Sequence, residues 1–231
     1  MSAAIDIKDA AFTWRGKANF SLSISRLEIP AGERVFLLGE SGSGKSTLLS
    51  LICGINCPDS GSVSVDGVDL GQLPASQRDR FRAENIGVIF QMFNLLPYVS
   101  PLENILLPLA FSPPRRRRLS DPRTEALKLT AALGLSEALV VQADTTELSI
   151  GQQQRVAAAR ALIGKPRLII ADEPTSSLDA SAQKDFISLL MTQTEQVGAT
   201  LVMVSHDSRL ASKFDRSLEL TDVAEITRGA A

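Results

Sequence analysis

The sequence predicts an α/β fold: a mainly parallel sheet with helices on both faces, an antiparallel β side sheet at the N-terminus, and an inserted α-helical lobe. Three observations lead there. Short apolar runs at Arg34–Leu38, 86–90, 167–171 and Thr200–Ser205 are interleaved with helical patterns. Two longer strand-like stretches, 5–12 and 20–29, come first with no helix between them. From Gln91 to about Leu162 the pattern turns helical, with prolines in its connections. The expected organisation is one domain, with residues 1–90 and 163–231 as core plus β subdomain and 91–162 as the lobe.

Each element follows from its residues. Stretches 5–12 and 20–29 are apolar, β-branched or alternating, as strands require. Residues 34–38 (RVFLL) read as a buried strand that ends in a glycine-rich loop, and 45–53 reads as a helix. Residues 63–65 are expected as a short edge strand before the Asp66-Gly67 turn. Pro74 can open a helix running to about Glu84, because its missing N–H costs nothing in the first turn. The amphipathic run Ala180–Val197 is closed by Gly198 at the expected C-terminal cap. Short strands at 217–220 and 224–227 are expected last.

Composition removes several classes. Lys plus Arg number 24 against 26 Asp plus Glu, a formal charge of -2. That balance argues against a phosphate-neutralising surface, so no nucleic-acid partner is expected. Cys53 and Cys57 are the only cysteines, and two thiols cannot complete a four-ligand zinc site unaided. They are expected as reduced thiols. No run approaches the ~18 apolar residues of a membrane helix. The first residues lack the basic flank and apolar stretch of a signal peptide. A soluble, cytoplasmic chain is expected, serving a membrane only through a partner.

The strongest motif is Gly39-Glu40-Ser41-Gly42-Ser43-Gly44-Lys45-Ser46, which fits G-x-x-x-x-G-K-[ST] between a strand and a helix. Gly39 and Gly44 let the backbone curl so that successive N–H groups converge on phosphate oxygens. The helix dipole beyond adds about 0.3–2 kcal/mol. A full charge on Lys45 near 4 Å adds about 4 kcal/mol at an effective dielectric of 20. Lys45 and a bound Mg²⁺ therefore dominate, with the Ser46 hydroxyl on the metal. This is the phosphate loop of a P-loop NTPase core. The run RLIIADE (167–173) supplies partner carboxylates: Asp172 toward the metal, Glu173 toward a water facing the γ-phosphate.

LSIGQQQR at 148–155 resembles the signature motif of ABC-transporter ATPases, usually LSGGQ. The family's other elements follow in order. Gln91 stands at the Q-loop position and Ser176-Ser177-Leu178-Asp179 resembles the D-loop. His206, the single histidine, stands at the switch position. Trp14 falls where the family carries an aromatic that stacks on adenine. The resemblance spans essentially the whole chain. It implies ATP and Mg²⁺ as ligands, with Thr47 beside the phosphate loop. It also implies a head-to-tail homodimer with each ATP between the phosphate loop of one copy and the signature of the other. Ser149, Gly151 and Gln152 would then meet the opposite copy's γ-phosphate. Glu173 would be the general base, and His206 would orient the γ-phosphate and water. Gln91 would sense Mg²⁺, which Ser46 and Asp172 also hold, and Asp179 would communicate between the sites.

Ile150 departs from the usual glycine, so the local backbone must be one that a β-branched residue accepts. The segment 87–109 resembles the subgroup serving four-helix permeases of the macrolide-export and lipoprotein-release type. Phe93, Leu95, Leu96, Tyr98, Val99 and Leu102 lie where the family docks its permease, and some of them belong to the core instead. The run Arg115–Arg118 reads as a solvated loop, with lipid head groups or a permease as the other reading. A soluble ABC ATPase acting in translation or repair is the alternative function. Its usual paired ATPase units or long insertions do not fit 231 residues with one phosphate loop.

Overall fold

The computed structural model describes residues 3–14, 20–40 and 42–228. Along the chain come strands β1 (Ala3–Trp14), β2 (Phe20–Pro30) and β3 (Arg34–Leu38), then helix α1 (Lys45–Ile52). Strands β4 (Ser60–Val65) and β5 (Val68–Asp69), helix α2 (Ala75–Asn85) and strand β6 (Ile86–Ile89) follow. Helices α3 (Pro101–Phe111), α4 (Pro113–Arg117), α5 (Pro122–Ala132), α6 (Glu137–Gln142) and α7 (Ile150–Leu162) come next. Strand β7 (Leu168–Asp172), helix α8 (Ala180–Val197), strands β8 (Thr200–Ser205) and β9 (Arg216–Glu219), helix α9 (Leu220–Val223) and strand β10 (Glu225–Arg228) complete it. The described residues form two compact units, one from residues up to Arg82 together with those from Thr200 onward, the other Ala83–Ala199.

The first unit carries an antiparallel sheet in the order β10-β2-β1-β4-β5 and the parallel set β8-β3-β9. Register aligns the apolar faces: Ile5 stands opposite Ile29 and Val65, and Ile7 opposite Leu27 and Val63, all buried. This corrects the expectation of an edge strand at 63–65. The two-residue strand β5 pairs with β4 and takes the edge itself. Residue 220, expected in a strand, instead opens α9. The parallel set is tied at its start by Arg34, whose guanidinium donates to both Asp215 oxygens at 3.0 and 2.6 Å.

The second unit pairs β6 with β7 in parallel, from Ile86 opposite Leu168 to Ile89 opposite Ala171. Helices α3 to α7 pack around Ile105, Leu109, Ala126, Leu133, Val140 and Val156, all buried. Helix α3 begins with a reciprocal cap: Ser100 Oγ accepts from the Glu103 amide, and the Glu103 carboxylate accepts from the Ser100 amide. The arginine run is helical rather than a loop, and of its four side chains only that of Arg115 leaves solvent. Arg115 lies buried beneath α4, donating to the carbonyls of Ile163 and Ala161, while Arg118 donates to those of Gly164 and Lys165. A guanidinium's five fixed donors suit a helix end rich in unpaired carbonyls, and that preference overrides solvation for Arg115. Arg117 stays exposed, as the solvated reading expects.

Candidate nucleotide site

In the first unit, strand β3 delivers the chain at Leu38 into the phosphate loop, and α1 resumes at Lys45. Gly44 caps α1 at φ 88°, left-handed backbone that glycine adopts without strain. A Cβ at Gly39 would stand 2.7 Å from Ser43 Oγ, so a side chain there would displace that hydroxyl. Lys45 is 7 % exposed and its Nζ donates to the Gly39 carbonyl at 2.5 Å. The ammonium is thus folded back over the loop. The Ser43 amide donates to the Glu40 carbonyl at 3.1 Å, and Ser43 Oγ is buried with no hydrogen-bond partner among the described residues. An orphaned hydroxyl beside an ammonium, in a cradle that a Cβ would fill, fits a phosphate. Ser46 is exposed on the first turn, where its hydroxyl can reach a metal. Ser41 lies outside the described residues.

Thr47 Oγ1 accepts a hydrogen bond from Trp14 Nε1 at 3.1 Å. The half-exposed indole also stands edge-on to Phe12, with centroids 5.2 Å apart. Trp14 is thereby held against the helix that the phosphate loop opens. His206 follows β8, exposed, and lines a cleft of about 380 Å³ with Gly39, Glu40, Ser43 and Glu219. The structure therefore brings the switch histidine and the phosphate loop to one cleft. Next to it, Arg209 donates to both Asp207 oxygens at 2.8 and 2.7 Å, which holds the Asp207 carboxyl below its ordinary range.

In the second unit, Asp172 ends β7 half-exposed, and Glu173 follows at 8 % exposure with φ 46°. Left-handed backbone is disfavoured for glutamate, so surrounding contacts must hold it there. Gln154 donates to the Pro174 carbonyl and Gln183 to the Thr175 carbonyl at 3.1 Å. Gln91 sits exposed in the turn after β6. Beyond it, Tyr98 is 79 % exposed, whereas Phe93 and Leu102 are buried in the core.

The signature residues form the start of α7. Ser149 is its N-cap: its Oγ accepts from the Gln152 amide at 3.3 Å, and Gln152 Oε1 accepts from the Ser149 amide at 2.8 Å. Ile150 is the first helical residue, so its backbone is one that a β-branched side chain accepts. A Cβ on Gly151 would meet nothing within 4 Å. A concavity of about 400 Å³ lies here, lined by Gly134, Leu139, Ser149, Gly151, Gln152 and Arg155. Asp179 is the N-cap of α8 and accepts from the Ser181 and Ala182 amides. That bonding anchors the loop before it.

Sequence reasoning missed three buried anchors: Gln154, Arg160 and Asn104. Arg160 donates to the carbonyls of Phe93 and, at 2.7 Å, Asn94, two consecutive left-handed residues just past Gln91. Burial pushes the Arg160 guanidinium below its usual pKa. Asn104 clasps the Leu96 backbone, accepting from its amide at 2.8 Å and donating to its carbonyl at 3.0 Å. One signal was available: Gln154 falls on the stripe of Ala157, Ala158 and Ala161, so a polar residue interrupts the buried face of α7.

Comparison with known proteins agrees with this geometry. The family model described as "ABC transporter" matches residues 22–176. The lipoprotein-releasing system ATP-binding protein LolD of Anaeromyxobacter dehalogenans is 43 % identical over 196 residues, 85 % of this chain and 80 % of that protein. The macrolide export ATP-binding/permease protein MacB of Rhodopirellula baltica is 39 % identical over 204 residues, 87 % of this chain but only 29 % of its own length. A solved dimeric post-hydrolysis state of the ATP-binding cassette MJ0796, bound to ADP and Pi, superposes with a TM-score of 0.80. It is 33 % identical and covers 98 % of this chain and 100 % of that one. No helix among the described residues is long and apolar enough to cross a membrane. The chain belongs to the ABC transporter family, as a transport ATPase rather than a translation or repair enzyme.

Proposed function

We propose that this chain binds ATP with Mg²⁺ and dimerises head to tail. Each nucleotide then also meets the signature residues Ser149, Gly151 and Gln152 of the opposite copy. Lys45 and the amides of the phosphate loop hold the phosphates, while Trp14 stacks on the adenine. Ser46, Asp172 and Gln91 offer the hard oxygen donors that suit Mg²⁺, which neutralises phosphate charge when bound. Glu173 takes a proton from water as its oxygen bonds to the γ-phosphorus and the bond to the bridging oxygen breaks. His206 orients the γ-phosphate and Asp179 sets the loop between the two sites.

One observation carries the head-to-tail reading: the glycine at position 151. Glycine is a poorer helix former than alanine, yet among the described residues nothing crowds the position. Close approach from outside the chain accounts for it, at a concavity of about 400 Å³ beside a helix N-terminus. By likeness to the lipoprotein-releasing and macrolide-export relatives, the dimer serves a four-helix permease with an extracytoplasmic domain. It would sit on the cytoplasmic face of the membrane and power export or mechanical transmission. Exposed Tyr98 lies in the segment that would face the permease.

Glu173→Gln tests the reading. It should bind ATP, run as a dimer in ATP during size-exclusion chromatography, and hydrolyse about 10²–10⁴-fold more slowly. Near-normal turnover would remove Glu173 as base, and a monomer at saturating ATP would remove the shared site. Co-purification of a membrane subunit with the tagged chain tests the permease.

A further inference from the structure

Gln154 lies fully buried on α7, one turn beyond Gly151. Its side-chain amide donates to the carbonyl of Pro174, the residue that follows Glu173. Its other end, Oε1, is buried with no hydrogen-bond partner among the described residues. A buried amide acceptor left unpaired is destabilising, and methionine would fill the same space without that cost. What glutamine adds at this position is the bond it donates.

That bond acts where the backbone most needs holding. Glu173 is left-handed at φ 46°, which no glutamate adopts unless its neighbours impose it. The two peptides after it are gripped from separate helices, Pro174 by Gln154 of α7 and Thr175 by Gln183 of α8 at 3.1 Å. Helix α7 is also the element whose first turn carries Ser149 and Gly151. A shift of α7 therefore pulls on the peptide that aims the Glu173 carboxylate.

We propose that Gln154 is a positioning residue that aligns Glu173 when α7 is seated. Hydrolysis at a chain's own carboxylate then waits for the signature of the same chain to engage the opposite copy's nucleotide. The inference rests on the proposed roles of Glu173 and the signature, and it adds a link within one chain between them.

Gln154→Met should lower kcat about 10- to 100-fold, as a misplacement near 1 Å does, with the KM for ATP unchanged. Placed in the Glu173→Gln background it should still dimerise on ATP. Gln154→Glu adds a readout that a purely structural role would not move. An ionised carboxylate cannot donate to the Pro174 carbonyl, whereas a protonated one can. Its kcat relative to wild type should be low at pH 8 and climb as the pH falls. A wild-type kcat in folded Gln154→Met, or a flat relative pH profile in Gln154→Glu, overturns the inference, and the profile decides alone if the methionine variant does not fold. Turnover retained by Glu173→Gln would overturn both the base assignment and this link. A dead Glu173→Gln beside a normal Gln154→Met would overturn the link only.

Discussion

Removing the Arg115 guanidinium tests how the helical unit is held together. The side chain is 2 % exposed, and it donates to four backbone carbonyls. Ile163 and Ala161, at the end of α7, accept at 2.6 Å, while Ala83 and Ile86 accept at 3.4 Å. Desolvation, with the nearby Arg118 charge, pushes its pKa down to about 10. That displacement corresponds to roughly 3 kcal/mol against the charged form. The two short charged bonds return about 1.5–3 kcal/mol each, so the arginine is a modest net stabiliser. Arg115→Met removes the burial cost together with the bonds and should destabilise by about 1–2 kcal/mol. Arg115→Ala adds a cavity and should lose about 2–3 kcal/mol more. Urea denaturation followed by circular dichroism measures both, with the exposed Arg117→Ala as control, expected within about 0.5 kcal/mol of wild type. An Arg115→Ala midpoint equal to that of the control would refute the clamp.

Other expectations are equally direct. Arg34 holds the Asp215 carboxyl below its ordinary 3.8. A depressed acid stabilises the fold above its unfolded pKa and loses that contribution as pH falls through its folded value. The Tm gap between wild type and Asp215→Asn should therefore be present at pH 7 and close in strong acid; a constant gap refutes the linkage. Lys45→Ala should weaken ATP binding by about two to three orders of magnitude, from the ~4 kcal/mol of its charge, and titration calorimetry retaining tight binding contradicts the phosphate-loop reading. Trp14 is the only tryptophan, so its fluorescence should respond to ATP, and an unchanged spectrum at saturation counts against stacking.

What the sequence made legible depended on how local the determining forces were. Strand β3 carries four apolar residues in a row after Arg34, three of them buried, and α8 combines a long amphipathic period with Gly198 at φ 67°. Both patterns are visible in a short window. Strand β5 spans two residues, too few to show any alternation, and without it β4 was taken for an edge. The phosphate loop and signature were legible because their chemistry is packed into eight consecutive positions. Gln154 and Arg160 were not, since their bonds reach carbonyls 20 and 67 positions away. A charge run such as 115–118 carries the opposite hazard. Its composition signals solvent, while the fate of each guanidinium depends on whether the fold presents carbonyls to it.

Those distant bonds share a design that bears on how α7 works. Its buried face is mainly alanine, from Ala157 to Ala161, which packs closely but offers few protrusions to stop a helix from sliding. Register along the axis comes instead from directional bonds. Gln153 donates to Leu148, Gln154 to Pro174, Arg155 to Leu133 and Arg160 to Phe93 and Asn94, while Arg115 holds the carbonyls at the far end. Each acceptor is main chain, and those of Gln154 and Arg160 lie in loops. Through these bonds one helix is tied both to the loop after Gln91 and to the loop after Glu173. The polar anchors make α7 a rigid connection between its exposed N-terminus and the two loops that the proposed chemistry needs in register.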